Sequence, residues 1–215
     1  MRFSTAVRRL ETLPDQLPEG PPELMPVVVE SGESRARPPW DAEAASSSRP
    51  AAVLVLLYPD AGGMARILLT ERADRGGHHS GEVSFPGGRA EPADADAAAT
   101  ALREAVEEVG LDADAVGVRV LGGLPVHWIP VSNFAVTPVI AVAKRRPVLV
   151  PQPTEVAAIV EPLVSSFLPG APLELVERDI RGIRVRYAAY PIEGLAVWGM
   201  TARVLGGLGA WLTRG

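Results

Sequence analysis

Residues Phe85 to Gly110 read FPGGRAEPADADAAATALREAVEEVG: a glycine loop, an alanine-rich run, then three glutamates gathered before a glycine. Asp94 or Asp96 can cap a helix through the alanine run, and Gly110 suits the left-handed residue that ends one. At about 100° per residue, Leu102, Ala105, Val106 and Val109 form one apolar stripe, which is expected to face the core. Glu104, Glu107 and Glu108 then project together on the other side, over roughly 100° of arc.

Those glutamates occupy the last two turns, where the helix dipole is negative and Lys or Arg would be favoured. The pairs Glu104 with Glu107 and Glu104 with Glu108 each cost about 0.2–0.5 kcal/mol. The dipole adds about 0.3–1 kcal/mol for each exposed acid. A bound Mg²⁺ or Mn²⁺ would more than reverse these terms, because hard cations select carboxylate and carbonyl oxygens. The competing reading is a solvated acidic face with Arg103 as partial counterion.

Working outward, the chain has 215 residues, enough for one full-size domain with an appendage. It is 47% hydrophobic and 22% charged with a net charge of −5, which argues against a general nucleic-acid-binding surface. With no cysteine, disulfides, thiolate nucleophiles and Cys-ligated zinc are excluded. Metal chemistry must therefore rest on oxygen ligands or on His78, His79 and His127. The N-terminal MRFSTAVRRLETLPDQ has no signal-like apolar stretch, and no apolar run approaches the ~18 residues of a spanning helix. The expectation is a cytoplasmic protein with no membrane partner. Arg203 interrupts the apolar stretch near the C-terminus, which is read as a buried amphipathic helix.

Residues 1–50 are expected to form a proline-rich, partly extended N-terminal arm, with a short helix over Ser4–Leu13, and residues 51–215 the folded domain. Ala51–Tyr58 and Ala65–Arg72 read as a hairpin. Val118–Leu121, Phe134–Ala143, Val156–Val160 and Ile183–Tyr190 read as strands; Pro162–Phe167 and Leu195–Leu212 read as helices. Strands and helices alternate irregularly, which predicts an α+β, α-β-α sandwich with a mixed sheet flanked by helices.

REAVEEVGL, Arg103 to Leu111, resembles the helical half of the box that marks the Nudix hydrolase family, with Ala105 at its first aliphatic position. The resemblance implies metal-dependent hydrolysis of a nucleoside diphosphate linked to another moiety. It also implies that Glu104, Glu107 and Glu108 are metal ligands, that the Gly87 carbonyl is a further one, and that Arg103 is an ion-pair partner holding the loop. Mg²⁺ or Mn²⁺ would be the cofactor. The loop from Gly88 to Arg103 is one residue longer than the family's usual spacing. Its glutamate position falls on Ala95, between Asp94 and Asp96, either of which can cap the helix and meet Arg103. Glu108 is one candidate base, and Glu155, opening a strand after a loop, is its rival.

LLTERADRGGHHSGEVSFPGG, Leu68 to Gly88, further resembles the signature of the coenzyme A pyrophosphatase branch, in its LLT, Arg72, Gly81 and FPGG. VSNFAVTPVIAV and VWGMTARVL look like that branch's strand and final helix. The implied products are adenosine 3',5'-bisphosphate and 4'-phosphopantetheine, or its acylated form. Gly77 stands where the signature has an arginine; Arg75 is the nearby substitute, with His78 and His79 as helpers. Arg72, Arg75 and Phe134 are the candidate substrate contacts. Trp128 has less weight than Phe134, and Trp198 and Met200 are read as packing the terminal helix. The expected partner is a small-molecule substrate, with a homodimer as an option. Two other readings stay open: a pyrophosphatase for ADP-ribose or a dinucleotide, and a non-catalytic nucleotide-binding module.

Overall fold

The computed structural model describes residues 1–29, 47–73, 82–129, 132–180 and 183–214. Strand β1 is Val27–Val28 and β2 is Arg49–Pro59. Chain order continues with β3 Ala65–Ile67, β4 Leu69–Arg72, β5 Val83–Ser84 and β6 Gly87–Arg89. Then come β7 Val118–Gly123, β8 His127–Ile129, β9 Phe134–Ala143 and β10 Val156–Val160. The last are β11 Glu174–Ile180, β12 Ile183–Ile192 and β13 Leu195–Val197. The helices are α1 Phe3–Leu10, α2 Ala97–Val109, α3 Ala113–Val116 and α4 Gly199–Thr213.

The unbroken apolar run of β2 makes it a strand buried on both faces. Ala51, Val53, Val55 and Leu57 enter one core, while Ala52, Leu54, Leu56 and Tyr58 enter the other. Strand β9 lies parallel to β2, from Arg49↔Phe134 to Leu57↔Val142. The sheet order is β3-β2-β9-β7, with β6 added beside β2 and β8 beside β9. Helix α2 covers the Ala52–Tyr58 face through Ala101, Ala105 and Val109. The opposite face is covered by α1 and α4, with Ala6, Leu10, Leu205, Leu208 and Leu212 in its core. This is the expected α+β layering of a mixed sheet between helices.

Several boundaries move. The Ala65–Arg72 run serves two sheets: β3 pairs with β2, whereas β4 pairs with β10 and β5. Val106 is 52% exposed, so the predicted stripe is wrong at that position. The buried face of α2 runs through Ala101, Ala105, Glu108 and Val109. Leu195–Val197 is a strand because Glu193 (φ 53°) and Gly194 (φ 84°) form a two-residue hairpin turn with both residues left-handed. Helix α4 therefore starts at Gly199, and Pro162–Phe167 yields only a 3₁₀ turn over Val164–Phe167.

The described part of the N-terminal arm is packed on the domain. Ala6, Leu10 and Leu24 are buried, and Val27–Val28 pairs with β12. Its path depends on the glycines of α4: a Cβ on Gly207 would lie 2.8 Å from the Pro18 carbonyl oxygen. Arg9 Nη1 donates to the Leu212 carbonyl at 2.6 Å, and Trp211 Nε1 donates to the Arg9 carbonyl at 3.2 Å. The apolar stretch around Arg203 belongs to α4, and no helix among the described residues is long and apolar enough to cross a membrane.

Candidate active site

The helix that carries the glutamates is fixed at both ends by residues the sequence marks. Asp96 caps α2 by accepting from the Ala99 amide at 2.8 Å, and Gly110 ends it at φ 65°. The preceding loop returns along β2 as β6, with Gly87 opposite Val53 and Gly88 opposite Ala52. A Cβ on Gly87 would strike the Ala52 carbonyl oxygen and come within 2.6 Å of Val53 Cα, so the backbones approach as only glycine permits. A Cβ on Gly88 would instead lie 2.5 Å from a Glu104 carboxylate oxygen. That carboxylate is seated directly over the glycine.

Asp94 and Asp96 divide the two tasks that the sequence left open between them. While Asp96 caps, Asp94 accepts from Arg103 Nε and Nη2, each at 3.1 Å, and from Thr100 Oγ1 at 2.9 Å. The Arg103 bonds hold the Asp94 carboxyl down at about 2. Arg103 Nη2 also donates to the Arg89 carbonyl at 2.9 Å and lies 3.0 Å from Glu104 Oε1. Its Nη1 reaches Glu107 Oε2 at 3.0 Å. One guanidinium thus ties the loop, the strand and two of the glutamates together.

The three glutamates differ sharply in environment. Glu107 has a 55% exposed side chain, Glu104 is half-buried, and Glu108 is only 6% exposed. Glu108 Oε2 accepts from the Gly87 amide at 3.2 Å. Burial pushes the Glu108 carboxyl up to about 7, opposed by the Gly87 amide and the Arg72 charge and reinforced by Glu104 and Glu155. Burial likewise raises Glu104, against the pull of Arg103.

Glu155 joins this group from the far side of the sequence. The Gln152 amide donates to the Glu108 carbonyl at 2.8 Å, and the Ala73 amide donates to the Glu155 carbonyl at 2.9 Å. These bonds bring the exposed start of β10 within electrostatic reach of Glu104 and Glu108. Arg72, on β4, faces the same group. Phe134 does not join it: its half-buried ring packs toward the α4 core and carries the Arg49 guanidinium 4.1 Å from its centroid. Trp128 donates to Asn133 Oδ1 at 3.1 Å. Arg75, Gly77, His78 and His79 lie outside the described residues.

Among the described residues, no three acidic or histidine side chains are already gathered into a metal cage. The donor set nevertheless fits a hard cation, because it offers only carboxylate and backbone oxygens. The buried Glu108 carboxylate and the half-buried Glu104 are both destabilised as anions by burial, the condition that a nearby positive charge relieves. Arg103 neutralises Glu104 and Glu107, and no ion pair to Glu108 is formed among the described residues.

A helix bearing three glutamates, held by a partly buried Asp–Arg pair beside a two-glycine strand in a mixed sheet, offers the oxygen donors that a hard divalent cation selects. A family model described as the NUDIX domain matches residues 48–161. The chain is 39% identical over 164 residues to "Uncharacterized Nudix hydrolase NudL" of Salmonella paratyphi B, covering 74% of this chain and 80% of that protein. It is 36% identical over 161 residues to "Nudix hydrolase 15, mitochondrial" of Arabidopsis thaliana, covering 72% of this chain and 55% of that one. The match to "Nudix hydrolase 22, chloroplastic" is also 36% identical and covers 52% of that protein, so the chain spans about half the length of the two Arabidopsis relatives. Among solved structures, RenU of M. smegmatis overlaps with a TM-score of 0.47 at 29% identity, over 55% of this chain and 73% of that one. The chain belongs to the Nudix hydrolase family.

Proposed function

We propose that this protein hydrolyses the pyrophosphate bond of coenzyme A or an acyl-CoA, giving adenosine 3',5'-bisphosphate and 4'-phosphopantetheine or its acylated form. The observation that carries the hydrolytic part is the seating of Glu104 and Glu108 beside Gly88 and Gly87, with Glu107 tied to Glu104 through Arg103, which Asp94 anchors. The coenzyme A part rests on the resemblance of Leu68–Gly88 to that branch's signature.

Glu104, Glu107 and Glu108, with the Gly87 carbonyl, are the residues that would hold Mg²⁺ or Mn²⁺. When bound, such a cation neutralises charge on the diphosphate oxygens and lowers the pKa of a water. The chain's own residues supply the remainder. Arg103, anchored by Asp94, holds the Glu104 and Glu107 carboxylates in one orientation. Arg72 adds positive charge beside Glu108, where an anionic substrate needs it. In the reaction a water oxygen forms a bond to phosphorus, the bridging P–O bond breaks, and the water proton passes to a carboxylate. Glu108, buried beside the Gly87 amide, and Glu155, exposed at the edge of the same group, are the two candidate acceptors.

A second reading, ADP-ribose or another nucleoside diphosphate derivative, draws on Gly77 standing where the signature carries an arginine. Turnover of coenzyme A, 3'-dephospho-coenzyme A and ADP-ribose, compared with Mg²⁺ and with Mn²⁺, separates the two. Preference for coenzyme A supports the first reading, and preference for the other substrates overturns it.

A further inference from the structure

Trp198 does more than begin the terminal helix. It stands at the N-cap of α4 in extended conformation, and its indole stacks on Tyr187 with centroids 4.8 Å apart and planes 21° apart. Tyr187 is 3% exposed and makes a rigid floor. The half-buried indole carries the Arg178 guanidinium 5.7 Å from its centroid. That is the outer edge of the roughly 6 Å reach of a cation–π contact, so the guanidinium is loosely held.

The register explains why this cation is available. Opposed residues share a sheet face, so Arg178, across from Val185, lies on the face of Tyr187, which opposes Val176. Glu177 and Asp179, its sequence neighbours, oppose Arg186 and Arg184 on the other face. Glu177 is bound there to Arg186 at 2.7 Å. Arg178 is exposed and makes no ion pair among the described residues. A planar cation resting on an indole, with no ion pair among the described residues, marks a place where a planar base and a phosphate can both be received.

The patch adjoins the carboxylate group. Strand β13, which leads into Trp198, packs beside β5 just before the FPGG loop. The Arg72 amide donates to the Glu82 carbonyl at 3.0 Å. Glu82 in turn lies within electrostatic reach of the Tyr187 hydroxyl, and Arg72 within reach of Glu108. The aromatic floor and the hydrolytic residues therefore flank one short stretch of chain.

The geometry points to Trp198 and Arg178 as the recognition site for a nucleoside bearing a phosphate on its ribose: the base stacks on the indole, displacing the guanidinium, which takes the phosphate. This rests on the coenzyme A reading above and deepens it, since Arg178 supplies a cation of the kind that position 77 lacks. Stacking of a base on an aromatic side chain and an arginine bond to phosphate are each worth about ten-fold in affinity.

The test uses the full chain, R178Q and W198F, with adenosine 3',5'-bisphosphate and 5'-AMP as probes and calorimetry as the readout. Wild type binds the bisphosphate about ten-fold more tightly than AMP, R178Q erases that preference, and W198F weakens both probes. Absence of the preference in wild type, its survival in R178Q, or unchanged binding in W198F overturns the assignment. In a parallel turnover assay, R178Q lowers kcat/KM for coenzyme A toward the value for 3'-dephospho-coenzyme A, which is itself unchanged. Coenzyme A cleavage that R178Q leaves untouched removes this site and leaves the hydrolytic reading standing. Arg178-dependent binding with no coenzyme A cleavage supports the site and removes that reading.

Discussion

Two adjacent glycines give opposite predictions, and the difference comes from what each would strike. In G87A the new methyl meets backbone, the Ala52 carbonyl oxygen and Val53 Cα at 2.6 Å, against an ordinary separation of about 3.5 Å or more. Strands β2 and β6 would have to part by roughly an ångström. Overpacking of that kind costs about 1–3 kcal/mol or more. In a domain of this size that lowers Tm by roughly 2–12 °C, at about 2–4 °C per kcal/mol. In G88A the methyl meets only the Glu104 carboxylate, at 2.5–2.6 Å. The end of a side chain can swing away, so the fold survives with Tm lowered by a few degrees at most. The carboxylate is then displaced by about 1 Å, and misplacement on that scale can cost on the order of a hundred-fold in rate. Thermal unfolding in EDTA, Mn²⁺ titration calorimetry and turnover are measured on both variants. G88A should keep most of its Tm and lose Mn²⁺ affinity and kcat. Wild-type affinity and turnover in G88A would refute the placement of Glu104 in the site, and a wild-type Tm in G87A would refute the close backbone approach.

E107Q should retain its Tm to within a degree or two, since the exposed pair with Arg103 is worth only about 0.3–0.5 kcal/mol. It should lose about a hundred-fold or more in kcat, the equivalent of ~3 kcal/mol of charge stabilisation; near-normal turnover would show that Glu107 holds nothing essential. Asp94, depressed to about 2 by Arg103, stabilises the fold fully above the unfolded carboxylate range near ~3.9. That contribution is lost as pH falls through about 2. Urea midpoints of wild type and D94N in EDTA should therefore converge between pH 4 and pH 2, and a gap independent of pH would contradict the pairing. G209A places a methyl against the Phe167 carbonyl, whose carbon would lie 2.8 Å away. A loss of about 1–3 kcal/mol in chemical unfolding is expected, and no loss would show that α4 does not seat as described.

Where local chemistry decides an element, the sequence announces it. Strands β9 and β10 run over the predicted residues, and α2 begins after Asp96 and stops at Gly110 because a carboxylate cap and a left-handed glycine are local devices. Glu104 and Glu107 are joined through Arg103 as helical spacing allows, but Glu108 falls on the buried side of α2 with Ala105 and Val109, against the expectation of one solvent-side patch. What the sequence hides is set by distant chain. Glu108 is buried because β6 closes over it, and Val106, about 100° round the helix from the core residue Ala105, points into solvent. Helical periodicity cannot say which edge of a stripe a sheet will cover. The short helix of the arm is legible, but the packing of the described arm residues is not, because its signal sits in α4 as Gly206 and Gly207, nearly two hundred residues on. Trp198 reads from sequence as helix packing, whereas the Glu193–Gly194 turn pairs β13 with β12 and brings the indole onto Tyr187.

Whether these carboxylates cleave a pyrophosphate is decided by incubating the purified protein with coenzyme A and Mg²⁺ and following the phosphorus by NMR. The diphosphate resonances should give way to those of phosphomonoesters, in the proportion of adenosine 3',5'-bisphosphate and 4'-phosphopantetheine, with E107Q leaving them in place. A diphosphate that persists with wild-type protein, or is cleaved as fast by E107Q, would contradict that role for the carboxylates.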